Sequence, residues 1–282
     1  MAPYQQCQAG LAPGQHPRPV IGPRVHRTLG LTSNHAPSHP ARKAPVSRPA
    51  TPGVTVNMGA RKEGTSRKHG SSVQSPPVYP WLLPFALTCA AYFLLWIPED
   101  QPSAFSAFVK CLPILCLVLL VRATASPDAR TPLSAALLCS AVGDVCLIWP
   151  SAFLYGLGAF AVAHLLYIWT LGFTPLRLRL LLPIALFSAP YTILLLRSLP
   201  ADMVLPVVVY ALVLACTLWR GLARGGAAGW GTLLFTVSDS VLAWSTFVGP
   251  LPHSRLVIMT TYYAAQLLLA LSGVQGSRPK AS

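Results

Sequence analysis

Acidic residues are scarce in this chain, which contains only seven Asp and Glu against 21 Lys and Arg in 282 residues. The short motifs of several enzyme classes are absent as well. There is no His-Glu-x-x-His motif and no Gly-x-Ser-x-Gly motif, and no glycine-rich loop is followed by Gly-Lys-Ser or Gly-Lys-Thr. None of the seven cysteines forms a Cys-x-x-Cys pair. The sequence therefore gives no case for a metal hydrolase, a serine hydrolase, a phosphate-binding P-loop or a thiolate metal site.

Hydrophobic and basic residues divide the chain into two unlike parts. Residues 1–78 are rich in Pro, Ser, Gly, Arg, Lys and His, with Glu63 as their only acid, and they have no apolar run long enough to build a core. This composition predicts a disordered basic tail. Over residues 79–275 the chain is almost continuously apolar, with short polar loops, and residues 276–282 form a short polar end. The pattern predicts an all-α, polytopic membrane domain.

The basic tail contributes much of the formal net charge of +14, but it does not predict nucleic-acid binding. Apart from Tyr4, no aromatic residue is interleaved with its charges, and no nucleic-acid-binding fold follows it. It also lacks the apolar central region of a signal peptide. Contact with anionic membrane lipids and a passive, solvated tail are the two alternatives that remain.

Eight candidate membrane spans are found with a window of about 19 residues. They cover residues 81–98, 104–122, 132–150, 152–172, 178–196, 202–220, 227–248 and 255–275. Basic residues follow the second, fourth and sixth spans, for example at Arg122, Arg177 and Arg220, whereas Glu99 and Asp100 follow the first. Because basic loop residues favour the cytosolic side, we expect both termini to be cytosolic and the Glu99–Asp100 loop to be lumenal or external.

One eight-residue pattern occurs twice, and each copy places an Asp inside an apolar segment. The copies are Val142-Gly-Asp-Val-Cys-Leu-Ile-Trp149 and Val237-Ser-Asp-Ser-Val-Leu-Ala-Trp244. A charged side chain at the bilayer centre costs roughly 2.5–3.5 kcal/mol on insertion scales, so Asp144 and Asp239 are predicted to be functional. They fall in the third and seventh spans, which run in the same direction. The sequence thus predicts a parallel 4+4 repeat with both carboxyls facing one cavity; a helix-packing role is the alternative.

Six other polar residues of the apolar segments are candidate substrate-binding or supporting residues: Lys110, His164, Tyr167, Tyr262, Tyr263 and Gln266. Lys110 enters its span by about six residues, so its ammonium either reaches the membrane interface or lies beside one of the aspartates. A lone His in an apolar segment is more often a hydrogen-bonded core residue than a catalyst. Tyrosines commonly line helix interfaces.

Several short motifs, in this order and spacing, resemble the lysoplasmalogenase (YhhN-like) family of multi-spanning membrane proteins. They are Trp96-Ile-Pro-Glu-Asp100, Val109-Lys-Cys-Leu-Pro113, Gly143-Asp144, Ser238-Asp239 and Thr260-Thr-Tyr-Tyr-Ala-Ala-Gln266. The resemblance covers roughly residues 79–275. It implies hydrolysis of the vinyl ether of lysoplasmalogens, giving a fatty aldehyde and glycerophosphocholine or glycerophosphoethanolamine. It also implies an endoplasmic-reticulum membrane location, no metal or other cofactor, and a role for Asp144 and Asp239.

Two carboxyls in a low-dielectric site can share one proton, so that one acts as an acid and the other as a base. This equipment suits vinyl ether hydrolysis, in which protonation of carbon gives an oxocarbenium ion that water captures. It would equally suit a proton-coupled membrane carrier that uses the two Asp as a relay. A non-catalytic lipid-binding membrane protein is the third hypothesis. The partner of the substrate phosphate is open between Lys110, Arg255 and Arg197.

Overall fold

The computed structural model describes residues 78–97 and 102–275. Within these ranges the chain forms eight α-helices and two short 3-10 helices, with no β-strand, which confirms the all-α prediction. The α-helices are α1 (Tyr79–Leu95), α2 (Ala104–Thr124), α3 (Pro127–Cys146), α4 (Phe153–Leu171), α5 (Leu181–Leu196), α6 (Ala201–Arg224), α7 (Gly226–Phe247) and α8 (Ser254–Gln275). The tails predicted over residues 1–78 and 276–282 lie outside the described residues, except for Val78. So does the acidic pair at positions 99 and 100.

Five helical segments of the described chain are long and apolar enough to cross a membrane. They are Ala104–Thr124, Pro150–Leu171, Leu178–Leu196, Ala201–Arg224 and Ser254–Val274. The chain is therefore a multi-pass membrane protein. α1 is apolar but only 17 residues long. α3 and α7 do not meet the same criteria, and the prediction of eight spans stays a prediction.

Local signals in the sequence explain where several helices begin and end. Ser103 caps α2 by accepting a hydrogen bond from the Ser106 backbone N–H, and the Ser106 side chain accepts from the Ser103 N–H in return. α3 begins at Pro127, because proline lacks only a donor that the first helical turn leaves unpaired. Gly225 separates α6 from α7 with φ of 78°, a left-handed conformation that favours glycine.

Six helices pack side by side in the order α2, α3, α4, α6, α7 and α8, and α8 packs back against α2. These helices form a closed ring. α1 lies outside the ring against α2, and α5 lies outside it, mainly against α6. Only Ile184 and Leu195 of α5 are buried, so most of this helix is left to the membrane. The inside of the ring holds edge-to-face aromatic contacts among Phe160, Phe235 and Tyr262.

Arg220, which was predicted to lie in a loop after the sixth span, lies inside α6 and is buried. Its guanidinium donates to the carbonyl oxygens of Gly172 and Pro175, at 2.7 and 3.0 Å. The predicted sixth span ends at residue 220 because a hydropathy window ends at a charged residue, whereas α6 continues for one more turn. Arg220 therefore connects the segment after α4 to α6, and Arg224 stands at the actual end of the helix.

Candidate active site

A polar cavity of about 370 Å³ lies inside the ring, and both Asp144 and Asp239 line it. It reaches the end of the bundle at which α1, α3 and α7 end and α2 and α8 begin. Ile97, Pro102 and Ser254 are among its lining residues there. This is the face that the loop charges predict to be lumenal or external. The geometry meets the expectation that the two carboxyls face one cavity.

Asp144 is almost completely buried, with 2% of its surface exposed, and two side chains hold it. The Tyr262 hydroxyl, from α8, donates a hydrogen bond to Asp144 Oδ2 at 2.6 Å. The Lys110 ammonium, from α2, lies 3.5 Å from Asp144 Oδ1. Of the two placements predicted for Lys110, the structure has the one beside an aspartate. Lys110 thus balances the charge of an ionised Asp144 carboxylate at a depth where an unpaired charge would be costly.

Asp239 is held by a different pair of side chains. The Tyr210 hydroxyl, from α6, donates to Asp239 Oδ2 at 2.5 Å, and His164 Nε2, from α4, lies 3.8 Å from the same oxygen. His164 is fully buried, and its two ring nitrogens make no hydrogen bond within the described chain. The Asp239 side chain is 14% exposed, against 3% for Asp144. Asp239 is therefore the more accessible of the two carboxyls.

The small residue that precedes each Asp is in close contact with the helix that follows. A Cβ added to Gly143 would lie 2.6 Å from the Phe160 ring of α4, so α3 can approach α4 this closely only with glycine there. In the second copy of the pattern the Ser238 hydroxyl donates to the Ile258 carbonyl oxygen of α8 at 3.1 Å. The motif thus positions each carboxyl by fixing how its helix packs on the next one.

Of the eight residues predicted for the site, the cavity brings four together: Asp144, Asp239, Lys110 and Tyr262. The other four lie behind its wall. The Tyr167 hydroxyl donates to Gln266 Oε1 at 2.5 Å, and both of these side chains are fully buried. The Tyr263 hydroxyl donates to the Lys110 carbonyl oxygen at 2.9 Å, which links α8 to α2. His164 lies beside Asp239 and packs its ring against Tyr210 and Phe235.

Arg255 stands at the mouth of the cavity, where its guanidinium is held by two aromatic side chains. Its Nε–H donates to the Tyr92 hydroxyl at 3.2 Å, and its guanidinium carbon lies 4.5 Å from the centre of the Trp96 ring. Of the three cations considered for the substrate phosphate, Arg255 and Lys110 line the cavity. Lys110 is engaged with Asp144, whereas Arg197 lies exposed at the end of α5.

Tyr210 was missed by the sequence analysis, and so was the aromatic setting of Arg255. α6 is apolar over most of its length, but Tyr210, Thr217 and Gly221 are spaced at i, i+7 and i+11, which places them on one face of the helix, and this pattern could have indicated the buried face. For a metal, residues 78–97 and 102–275 offer no group of three or more His, Cys, Asp or Glu side chains that could hold an ion.

The sequence profile described as the YhhN family matches residues 105–273. Lysoplasmalogenase TMEM86B from Homo sapiens is 58% identical over 224 residues, which are 79% of this chain and 99% of the relative. The protein of the same name from Sus scrofa gives the same identity and coverage. Lysoplasmalogenase TMEM86A from Homo sapiens is 40% identical over 219 residues, 71% of this chain and 91% of the relative. No solved structure matches the chain significantly.

Proposed function

The chain belongs to the YhhN family, and from this premise we propose that it is a lysoplasmalogenase, an integral membrane ether hydrolase. It hydrolyses the vinyl ether of 1-alkenyl-glycerophosphocholine or 1-alkenyl-glycerophosphoethanolamine to a fatty aldehyde and the glycerophosphodiester. The observation that carries the proposal is the 58% identity along 99% of a relative that bears this name. The buried pair of carboxyls in one cavity is the chemical equipment that such a reaction needs.

The first step is protonation of the β-carbon of the vinyl ether. We assign the proton to Asp239, because this carboxyl is the more exposed of the two and no lysine or arginine of the described ranges forms an ion pair with it. The double bond supplies the electron pair for the new C–H bond, which leaves an oxocarbenium ion on the ether carbon. Tyr210 holds one carboxyl oxygen of Asp239 and so keeps the other directed at the substrate. General acid catalysis of this kind contributes typically 10²–10⁴-fold.

The second step is capture of the cation by water. The Asp144 carboxylate, fixed by Lys110 and Tyr262, stabilises the positive carbon and takes a proton from the attacking water. The product is a hemiacetal. As it collapses, its hydroxyl proton passes to Asp239 and the proton on Asp144 passes to the leaving ether oxygen. Both carboxyls then return to their starting states, and one water has been consumed for each aldehyde and glycerophosphodiester released.

Arg255 binds the phosphate of the substrate in this scheme. It lies seven residues before Tyr262 on α8, about 10 Å at 1.5 Å per residue, and the glycerol unit spans part of that distance. The contacts with Tyr92 and Trp96 hold the guanidinium in place before the substrate arrives. A planar guanidinium fixed in this way matches the geometry of a phosphate.

We also propose that the eight helices all cross the membrane as a parallel 4+4 repeat. Two features support this. The packing partners of α1–α4 recur in α5–α8: α1 and α5 lie outside the ring, against α2 and α6. Each Asp is held by one side chain from the preceding helix and one from the last helix of the other half. These are Lys110 and Tyr262 for Asp144, and Tyr210 and His164 for Asp239.

The location and orientation are part of the same proposal. The chain resides in the endoplasmic-reticulum membrane with both termini in the cytosol, and its cavity faces the lumen. The loop charges support this orientation, since basic residues such as Arg177 and Arg224 lie at the opposite end of the bundle from the cavity mouth.

The test of function is aldehyde release by the purified protein in detergent from a 1-alkenyl-lysophospholipid. We expect aldehyde and glycerophosphodiester in equal amounts. The control is the same preparation carrying Asp144→Asn and Asp239→Asn together. A carrier or a lipid-binding protein would release no aldehyde, since detergent removes the compartments that transport requires, so the absence of product from the folded wild type would overturn the proposal.

A further inference from the structure

A second, larger cavity of about 950 Å³ lies between α5 on one side and α4, α6 and α7 on the other. Its lining is almost entirely aliphatic and aromatic, and Asp239 is the only charged side chain among the described residues that line it. We call it the α5 groove. Six of its residues define its course: Pro183 and Phe187 of α5, Ala211, Ala215 and Leu222 of α6, and Leu233 of α7.

The α5 groove meets the polar cavity at Asp239. Five residues line both of them: Leu147, Phe153, Phe160, Asp239 and Leu242. One side of the Asp239 carboxyl therefore faces a polar space that also contains Lys110 and Arg255, and the other faces an almost entirely apolar one. The junction is complementary to an amphiphile in which a polar headgroup and an apolar chain are joined by a single bond.

We propose that the α5 groove binds the alkenyl chain of the substrate, so that the vinyl ether lies at the junction beside Asp239. The inference rests on the proposed function and deepens it. The headgroup lies in the polar cavity with its phosphate toward Arg255, and the chain runs from Asp239 along α6. The vinyl ether joins these two parts of the lipid, which places the reacting carbon next to the proton donor.

The length of the α5 groove agrees with this occupant. From Tyr210, which holds Asp239, to Leu222 the groove follows α6 for 12 residues, about 18 Å at 1.5 Å per residue. A lipid chain spans one leaflet, roughly half of a hydrocarbon core that is about 30 Å thick. A single chain therefore fills the groove from the carboxyl to its far end.

The position of α5 gives the chain a lateral route from the bilayer. This helix packs outside the ring, and Phe187 and Leu182 are 79% and 76% exposed. Ordinary bilayer lipid is the competing occupant. If bilayer lipid filled the groove permanently, one side of Asp239 would face hydrocarbon for no functional reason. An acid at this depth is costly and usually marks a functional site, which favours the substrate chain as the occupant.

The experiment measures kcat/KM across a series of lysoplasmalogens that differ only in chain length, from octenyl to octadecenyl. Ala215→Trp should block the α5 groove five residues below Tyr210. We expect it to lower kcat/KM about tenfold or more for the long chains and to leave the shortest nearly unchanged, since apolar sites discriminate single methylenes by this order. Leu222→Ala should act in the opposite direction by lengthening the groove, and should shift the preference toward longer chains.

Val209→Trp is the matched control, because Val209 lies on the same helix, is 49% exposed and lines neither cavity. It should keep the wild-type profile. Thermal unfolding in detergent shows which variants are folded. If Ala215→Trp does not fold, the chain-length profile of Leu222→Ala tests the inference. If the wild type cleaves no chain, the proposed function fails. If the wild type is active and the folded groove variants keep its chain-length profile, the α5 groove holds bilayer lipid and the inference is overturned.

Discussion

Asp144→Asn, together with a change at Lys110, tests whether Asp144 takes part in catalysis or only stabilises the fold. The amide keeps the size of the carboxyl and can still accept the Tyr262 hydrogen bond, but it has no charge. The Lys110 ammonium then remains in a site where its side chain is only 14% exposed and its counter-charge is gone. Breaking a buried pair by removing one partner costs about 3–5 kcal/mol, and the partial exposure of Lys110 places this case at about 3 kcal/mol.

The double substitution Lys110→Met with Asp144→Asn removes both charges. Replacing a buried ion pair by neutral groups of similar volume is often neutral or stabilising, so we expect the double variant to recover most of the stability lost by Asp144→Asn. Activity should not recover. Loss of the carboxylate that faces the cation costs on the order of 10²–10³ in kcat, and the double variant still lacks it.

The measurements are thermal unfolding in detergent and aldehyde release per folded molecule, for the wild type, both single variants and the double variant. A double variant that is stable and inactive supports catalysis by Asp144. Wild-type activity per folded molecule in the double variant would refute the reasoning, because Asp144 would then be a packing residue only. An Asp144→Asn protein as stable as the wild type would show that Lys110 and Asp144 do not form a stabilising ion pair.

The remaining predictions address the other carboxyl, the phosphate and the topology. Tyr210→Phe removes the hydrogen bond to Asp239, which is worth about 1.5–3 kcal/mol once proton transfer leaves this carboxyl charged, and should lower kcat roughly tenfold or more with little change in KM. A change in KM alone would contradict its positioning role. Arg255→Gln should raise KM about tenfold. Arg197 lines neither cavity, so Arg197→Gln should leave KM unchanged, and equal effects of the two substitutions would exclude a specific phosphate contact of Arg255. A glycosylation acceptor placed at Glu99–Asp100 should be modified and one near Arg177 should not, and the reverse pattern would invert the topology.

The helices could be predicted because each is an apolar run bounded by loop signals. Seven of the eight begin within three residues of the predicted start. α3 is the exception: it begins at Pro127 rather than at residue 132. Its first turn contains Asp128 and Arg130, which a hydropathy window reads as loop although proline and an acid are good N-terminal residues for a helix. The end of α6 was misplaced for a related reason, because hydropathy cannot distinguish the buried Arg220 from a loop arginine.

The two aspartates could be found because an acid in an apolar segment is costly and therefore usually functional. Their partners could not all be found in this way. Tyr262 and Lys110 were among the six candidates because each is a polar residue in an apolar segment. Tyr210 was not, although its spacing from Thr217 and Gly221 puts it on the buried face of α6, because hydropathy along the chain does not show on which face of a helix a residue lies. His164, Tyr167 and Gln266 were predicted as substrate-binding or supporting residues and lie buried behind the cavity, because polarity alone does not distinguish the cavity from the wall behind it.

In the proposed 4+4 repeat, the two halves place their carboxyls in matching positions but surround them with different side chains. Asp144 is held by a lysine and a tyrosine and does not line the groove, whereas Asp239 is held by a tyrosine and a fully buried histidine and faces the groove as well as the cavity. A symmetric pair would compete for the same proton with no reason for either to be the donor. Acid and base roles on two carboxyls require environments that differ. Lysine and tyrosine hold Asp144, whereas tyrosine and histidine hold Asp239, and this supplies the difference. In the proposed mechanism it also gives the reaction a direction, with the proton coming from the groove side and the water from the cavity side.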